Sequence, residues 1–300
     1  MSNNERLTKN ERREAAREKA RLLREEQKKK ERRTRVLLQG GIALAAVAII
    51  AVVGLIIWQS VRPAGPGPAN MASDGIQISQ GAIATETPAL ASDDEPEPNE
   101  REDGVLDIRM YVDYFCPICN VFEQENGEYI NGLMENGDTN VEIHPIAILD
   151  RLSQGSRYST RATNAAACVA NYSPNQYYDW HTLMFENQPA ENTTGLSDDE
   201  LIDLTAQAEV ENADDVASCI RDQEFRGWVS ASTARALNGP LPDADVENVE
   251  GTPTIIVNGV KYNGPVDDLT SFQAFVVQQA GSEFVEETES TPTPTPTPTP

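Results

Sequence analysis

The longest apolar pattern in the chain is residues 36–58, 23 positions without a charge, in which Gln39 is the one amide side chain and Trp58 closes the far end. At about 1.5 Å per residue a helix of that length extends about 35 Å, enough to cross a hydrocarbon core of about 30 Å with some tilt. The run exceeds the apolar region of a cleaved signal peptide, and the polar segment before it is too long for one. A single uncleaved transmembrane helix is therefore predicted.

Downstream the period changes. Val105-Leu106-Asp107-Ile108-Arg109-Met110-Tyr111-Val112 is β-rich and reads as a buried strand. Ile118, Val121 and Phe122, then Ile130, Leu133 and Met134, recur at helical spacing, and Gly137 follows as a C-cap. Val141 to Ile146 reads as a second strand. Helices are predicted near 158–170, 175–186, 197–208 and 213–238, the third opened by a capping box from Ser197 to Glu200. Strand character returns at Thr254-Ile255-Ile256-Val257. Asn258-Gly259 is a hairpin turn into Val260-Lys261-Tyr262, and a last helix carries Leu269, Phe272 and Val276 on one face. The order is βαβ, a helical insert, then ββα, an α/β domain.

Charge orients the chain. Residues 1–35 hold 14 Lys+Arg against 7 Asp+Glu, whereas residues 59–300 hold 10 against 41. A basic flank stays cytoplasmic, so the predicted topology is N-terminus inside and the acidic bulk outside the cell membrane, single-pass. An acidic chain lacks the basic footprint of nucleic-acid binding, and segment 1–35 is placed to touch membrane lipid instead. Residues 59–103, rich in Pro, Gly, Ala and acidic side chains, read as a flexible linker, within which 76–84 supplies a short edge strand. The folded domain is expected over 104–282 with its helical insert at about 155–240. Residues 283–300 read as a disordered acidic and Thr-Pro tail.

All four cysteines lie on the outer side, where disulfides persist. Cys116-Pro117-Ile118-Cys119 begins the first helix of the domain. Cys116 then sits among unpaired N–H groups at the positive end of the helix dipole, which stabilises a thiolate. Pro117 suits the first helical position. The thiolate is the attacking species in disulfide exchange, so Cys116 is the candidate nucleophile and Cys119, one turn further in, the resolving sulfur. A CxxC is also half of a zinc site, but His144 and His181 are isolated and Cys168 and Cys219 form no second CxxC. No metal and no cofactor are expected. His144 reads as a core or edge residue, and His181, in an aromatic-rich helix, as packed with one hydrogen bond.

Four segments together carry a resemblance: Val112-Asp113-Tyr114-Phe115-Cys116-Pro117-Ile118-Cys119, His144-Pro145-Ile146 with Leu149-Asp150-Arg151, Tyr158-Ser159-Thr160-Arg161-Ala162, and Gly251-Thr252-Pro253-Thr254. The region resembles the DsbA-like branch of the thioredoxin superfamily, in its membrane-tethered bacterial form. The resemblance implies a thioredoxin fold with a helical insertion, preceded by the single transmembrane helix. It implies that Pro253 is a cis-proline facing the cysteines, and that the Thr252 backbone pairs with an extended substrate segment. It also implies that Cys168 and Cys219 form a structural disulfide, which would contribute on the order of 4 kcal/mol by the chain-entropy argument. A redox relay is the other reading of that pair.

Two positions depart from the pattern. Ile118 stands where many strong oxidases of this branch carry His, so a higher Cys116 pKa is expected than in a His-containing relative. Met110 stands where thioredoxin-like proteins often bury a carboxylate, and Asp113 is no obvious substitute, which leaves open the proton acceptor for Cys119. The resemblance implies a dithiol oxidase acting on exported proteins with free thiols and reoxidised by a membrane quinone-linked protein. A reductase or isomerase fed by a membrane electron donor shares the same chemistry. A non-catalytic thioredoxin-like binding domain is the reading from another class.

Overall fold

The computed structural model describes residues 65–290 apart from 92, 93 and 103, together with helical positions at 17–19, 21, 24, 27–30, 41 and 49. Two compact units are distinct, Met1–Arg62 and Pro63–Pro300. The expected transmembrane helix at 36–58 lies, but for Gly41 and Ile49, outside the described residues, as does the Thr-Pro stretch 291–300. Among the described residues no helix is long and apolar enough to cross a membrane.

The second unit is built on a six-stranded sheet. Its strands are β1 (Ile76–Ser79), β2 (Ile83–Ala84), β3 (Leu106–Val112), β4 (Thr139–Pro145), β5 (Thr254–Val257) and β6 (Val260–Lys261), in the order β2-β1-β4-β3-β5-β6. The central pair β3–β4 is parallel, in register from Leu106–Thr139 to Val112–Pro145, and the other pairs are antiparallel. Helix α1 (Pro117–Asn136) is the crossover between β3 and β4. Five helices follow before β5: α2 (Tyr158–Tyr172), α3 (Tyr177–Glu186), α4 (Asp198–Gln207), α5 (Ala213–Asp222) and α6 (Arg226–Asn238). Helix α7 (Leu269–Ser290) closes the unit. This is a thioredoxin-like α/β fold with the helical insert between β4 and β5.

Alternation along β3 explains both faces of the sheet. Ile108, Met110 and Val112 enter the main core with Ile76, Ile78, Val141, Ile143 and Phe122. Asp107, Arg109 and Tyr111 take the other face, where Tyr111 packs with Ile146, Leu241, Val249 and Ile256. Burying Arg109 there requires partners. Its Nε donates to Glu142 Oε2 at 3.0 Å, its Nη1 donates to the Pro242 carbonyl at 2.7 Å, and Asp107 lies at 3.7 Å. Glu142 also accepts from Ser73 at 2.5 Å and Asn99 at 2.9 Å, with His144 Nε2 at 3.2 Å. Burial would push the Glu142 carboxyl up, but His144 and Arg109 hold it down at about 2. His144, 3% exposed and stacked on Tyr111 at 4.4 Å, is thus a buried member of a charge network.

Three boundaries differ from expectation. The linker expected over 59–103 packs on the domain from residue 65 onward. Met71 and Ala72 are buried, Gly67 N–H donates to Leu90 at 2.9 Å, and Ala69 N–H donates to Asn171 Oδ1 at 2.8 Å. Arg235 makes two 2.6 Å bonds to Asp74. Polar ties join the burial of Met71, Ile76 and Ile78 in ordering this segment, and composition is blind to them. The helix expected over 213–238 is two helices, because Gln223 takes a left-handed conformation (φ 50°) and Phe225 turns into the core with its N–H on Asn164 Oδ1 at 2.9 Å. At the end, α7 runs to Ser290, so 283–290 extends a helix instead of opening the disordered tail. That stretch is Glu-rich, favouring helix, and the first proline comes only at 292.

Candidate active site

β3 ends at Val112, inside the sheet order, and a tight turn then sets up α1. Cys116 N–H donates to the Asp113 carbonyl at 2.9 Å, and Cys116 is the N-cap with extended angles (φ −83°, ψ 113°). Pro117 is the first helical residue, where no donor is needed. At the other end Gly137 is left-handed (φ 82°), and the N–H groups of Gly137 and Asp138 close on Met134 and Leu133. The helix is thereby fixed at both ends.

Asp113 holds the turn from within. It is fully buried, accepts the Phe115 N–H at 2.9 Å on Oδ1, and accepts the Ile148 and Leu149 N–H groups at 2.8 and 3.1 Å on Oδ2. Burial pushes its carboxyl up to about 6 against those hydrogen bonds. Asp113 therefore splices the catalytic turn to the chain leaving β4.

The two sulfurs are chemically unequal. Both cysteines are unbonded; Cys116 is 6% exposed and Cys119 is fully buried. A hydrogen bond from Cys119 is the largest influence on Cys116. With the Thr252 side chain and the backbone N–H groups of Cys119 and Ile118, it lowers the Cys116 thiol to about 6 in spite of partial burial. Burial pushes Cys119 well above the ordinary thiol range, and the neighbouring Cys116 adds to it. These surroundings favour the thiolate at Cys116 and the protonated thiol at Cys119. Ile118 adds no charge and stands 50% exposed beside the sulfurs, so Cys119, the Thr252 side chain and backbone N–H groups do what a cation would otherwise do.

Thr252 and Pro253 arrive from the other end of the chain, just before β5. Their peptide bond is cis, and the Thr252 carbonyl lies 3.3 Å from Cys116 Sγ. The structure thus brings Cys116, Pro117, Ile118, Cys119, Thr252 and Pro253 into one site. Cys168 and Cys219 lie apart from it, bonded to one another (Cα–Cα 5.8 Å) between α2 and α5. Among the described residues no three His, Cys, Asp or Glu side chains are grouped to hold a metal ion.

The insert contributes further contacts, one of them from a residue that the sequence did not single out. Gln188, just past α3, donates to the carbonyls of Cys116 and Tyr114 at 2.9 and 3.2 Å. The Tyr114 hydroxyl lies 3.0 Å from His181 Nδ1 and 3.2 Å from the Tyr177 hydroxyl. His181 Nε2 in turn lies 3.1 Å from Glu123 Oε1, so this fully buried histidine has two polar partners where one was expected. Glu123 sits one turn beyond Cys119 on α1, a spacing that alone marks it as a neighbour on the same helix face. No local signal points to Gln188.

A dithiol at a helix start, faced by a Thr-Pro loop and divided into one low-pKa and one high-pKa sulfur, defines a thiol:disulfide oxidoreductase of thioredoxin fold. The sequence profile of the thioredoxin family matches residues 102–276. The reduced form of the disulfide bond oxidoreductase DsbG from Mycobacterium tuberculosis is similar at 26% identity, covering 77% of this chain and 97% of its own, with a TM-score of 0.52. Oxidised BdbD from Bacillus subtilis shares the fold at 17% identity, covering 73% and 100% of the two chains, with a TM-score of 0.51. Among curated proteins none matches. The chain belongs to the thioredoxin family, as a DsbA-like thiol:disulfide oxidoreductase.

Proposed function

We propose that this protein is a membrane-anchored dithiol oxidase that introduces disulfides into exported proteins on the outer side of a bacterial cell membrane. The observation that supports this reading is the placing of Cys116 at the start of α1 with the Thr252-Pro253 loop against its sulfur, and the thiol is lowered to about 6 there. A stabilised thiolate stabilises the reduced form, so the oxidised form gains by accepting electrons from a substrate dithiol.

In the forward reaction a substrate thiolate attacks Cys116 Sγ of the Cys116–Cys119 disulfide. That bond breaks, its electron pair moves to Cys119 Sγ, and Cys119 takes up a proton, as its high pKa favours. A second substrate thiolate then attacks the substrate sulfur of the mixed disulfide and releases Cys116 as a thiolate. The substrate loses two electrons and the protein gains them. Thr252 supplies backbone at the site for pairing with an extended substrate segment, a mode tolerant of sequence.

The anchor and the outward orientation rest on the uncharged run 36–58 and its basic N-terminal flank. An anchored oxidase stays close to a membrane quinone-linked protein that accepts its electrons. The test is the redox state of Cys116 and Cys119 in cells, fixed by acid quenching and alkylation. A mainly oxidised pair supports the oxidase, and a mainly reduced pair assigns the chain to the reductase or isomerase direction.

A further inference from the structure

The helical insert touches the catalytic turn through Tyr158 of α2, packed on Phe115, and through α3 with the residues after it, which hold Tyr114 at two points. Tyr114 is held at its phenol by Tyr177 and His181 of α3, and at its carbonyl by Gln188, two residues past the end of that helix. The same Gln188 Nε2 donates to the Cys116 carbonyl at 2.9 Å. A carboxamide nitrogen carries two hydrogens, so both carbonyls can be engaged at once. Among the described residues the Cys116 carbonyl otherwise receives only the first, long bond of α1, from Asn120 N–H at 3.3 Å.

These two carbonyls flank the nucleophile. Without Gln188 the Tyr114 carbonyl loses this donor and the Cys116 carbonyl keeps the long bond from Asn120, which leaves the Cys116 peptide freer to tilt. The donors that favour the thiolate are directional: the N–H groups of Ile118 and Cys119 and the side chain of Thr252. Their aim depends on how the N-cap residue is held.

We infer that Gln188 is a positioning residue for the exchange reaction, clamping the Tyr114 and Cys116 carbonyls so that the helix N-terminus and Thr252 stay directed at the Cys116 sulfur. Through it the helical insert sets the reactivity of a cysteine 72 positions earlier in the chain. The inference rests on Cys116 being the attacking sulfur.

The test uses the reduced full-length protein in detergent. Thiolate absorbance and iodoacetamide alkylation of Cys116 are followed against pH for the unmodified chain, Gln188→Met and Gln188→Glu. Gln188→Met keeps the length and loses both donors. It is expected to move the Cys116 titration up by about half a pH unit to one unit and to slow alkylation at pH 6 roughly two- to fivefold, as the loss of one modest hydrogen bond implies. Gln188→Glu, which turns donors into acceptors and adds a negative charge, is expected to move it further. If Gln188→Met titrates with the unmodified chain, the inference is overturned, whatever happens to its thermal midpoint. If the unmodified chain itself shows no low-pKa thiolate, the dithiol reading fails first, and the two failures are told apart by that control.

Discussion

The carbonyl oxygen of Thr252 lies 3.3 Å from Cys116 Sγ, although 136 positions separate the two residues in the chain. The contact exists because β3 and β5 are neighbours, pairing Tyr111 with Thr254, and both the cysteine turn and the Thr-Pro loop leave the sheet at that end. The Cys116 thiol donates in that contact, whereas the Thr252 side chain favours the Cys116 thiolate and bonds toward Cys119, so one residue faces both sulfurs.

Removing the Thr252 hydroxyl while keeping its shape is expected to make Cys116 less acidic. Thr252→Val should raise the midpoint of the Cys116 alkylation profile by about half a pH unit to one unit. Stopped-flow alkylation across pH 4 to 9 measures it. An unmoved midpoint would remove Thr252 from the account.

The same pKa has a sign for stability. Cys116 titrates at about 6 in the fold and near the ordinary 9 when unfolded. A depressed folded pKa stabilises the reduced protein fully above the unfolded value, and that contribution is lost as pH falls through about 6. Chemical unfolding of reduced and oxidised protein should therefore show the reduced form gaining, by at most about 2–4 kcal/mol, between pH 6 and 9. A difference independent of pH would contradict the thiolate assignment.

Much of this arrangement is legible in the sequence, and the reasons differ element by element. The strand at Leu106–Val112, the capping box at Ser197 and Glu200, and the Asn258-Gly259 turn each carry local chemistry that acts within a few residues. Cys116 and Cys119 are readable for the same reason. Asp113 and Gln188 are not, because their partners are backbone groups 35 and 72 positions away, which any residue supplies. The segment after residue 65 was hidden by its composition, since beside the few apolar residues it buries, Met71, Ile76 and Ile78 among them, its order draws on Asn70, Ser73 and Asp74 bonding to distant groups.

Asp113 accepts three backbone N–H groups with two oxygens, and an amide at that place must turn a donor toward one of them. Asp113→Asn is expected to cost about 1–3 kcal/mol in urea unfolding. Its own titration adds a sign: a carboxyl raised to about 6 contributes stability that is fully present below its unfolded pKa and lost as pH rises through about 6. The unmodified chain should carry that component and the Asn variant should lack it.

Joining α2 to α5, the Cys168–Cys219 bond closes a loop of 51 positions away from the catalytic turn. Replacing both by Ala is expected to lower stability by about 4 kcal/mol while the reduction potential of the Cys116–Cys119 pair stays unchanged. A shifted potential with unchanged stability would make the pair a redox relay.

The central claim is that Cys116 carries the exchange, with Cys119 as its disulfide partner. Cys119→Ala, expressed as the full chain and quenched with acid, tests this most directly by non-reducing electrophoresis and mass spectrometry. The expected result is a set of covalent adducts with other proteins, all through Cys116, all released by a reducing agent, and all absent when Cys116 is also replaced. An absence of adducts in cells that make the folded variant would contradict the account and leave a binding domain in its place.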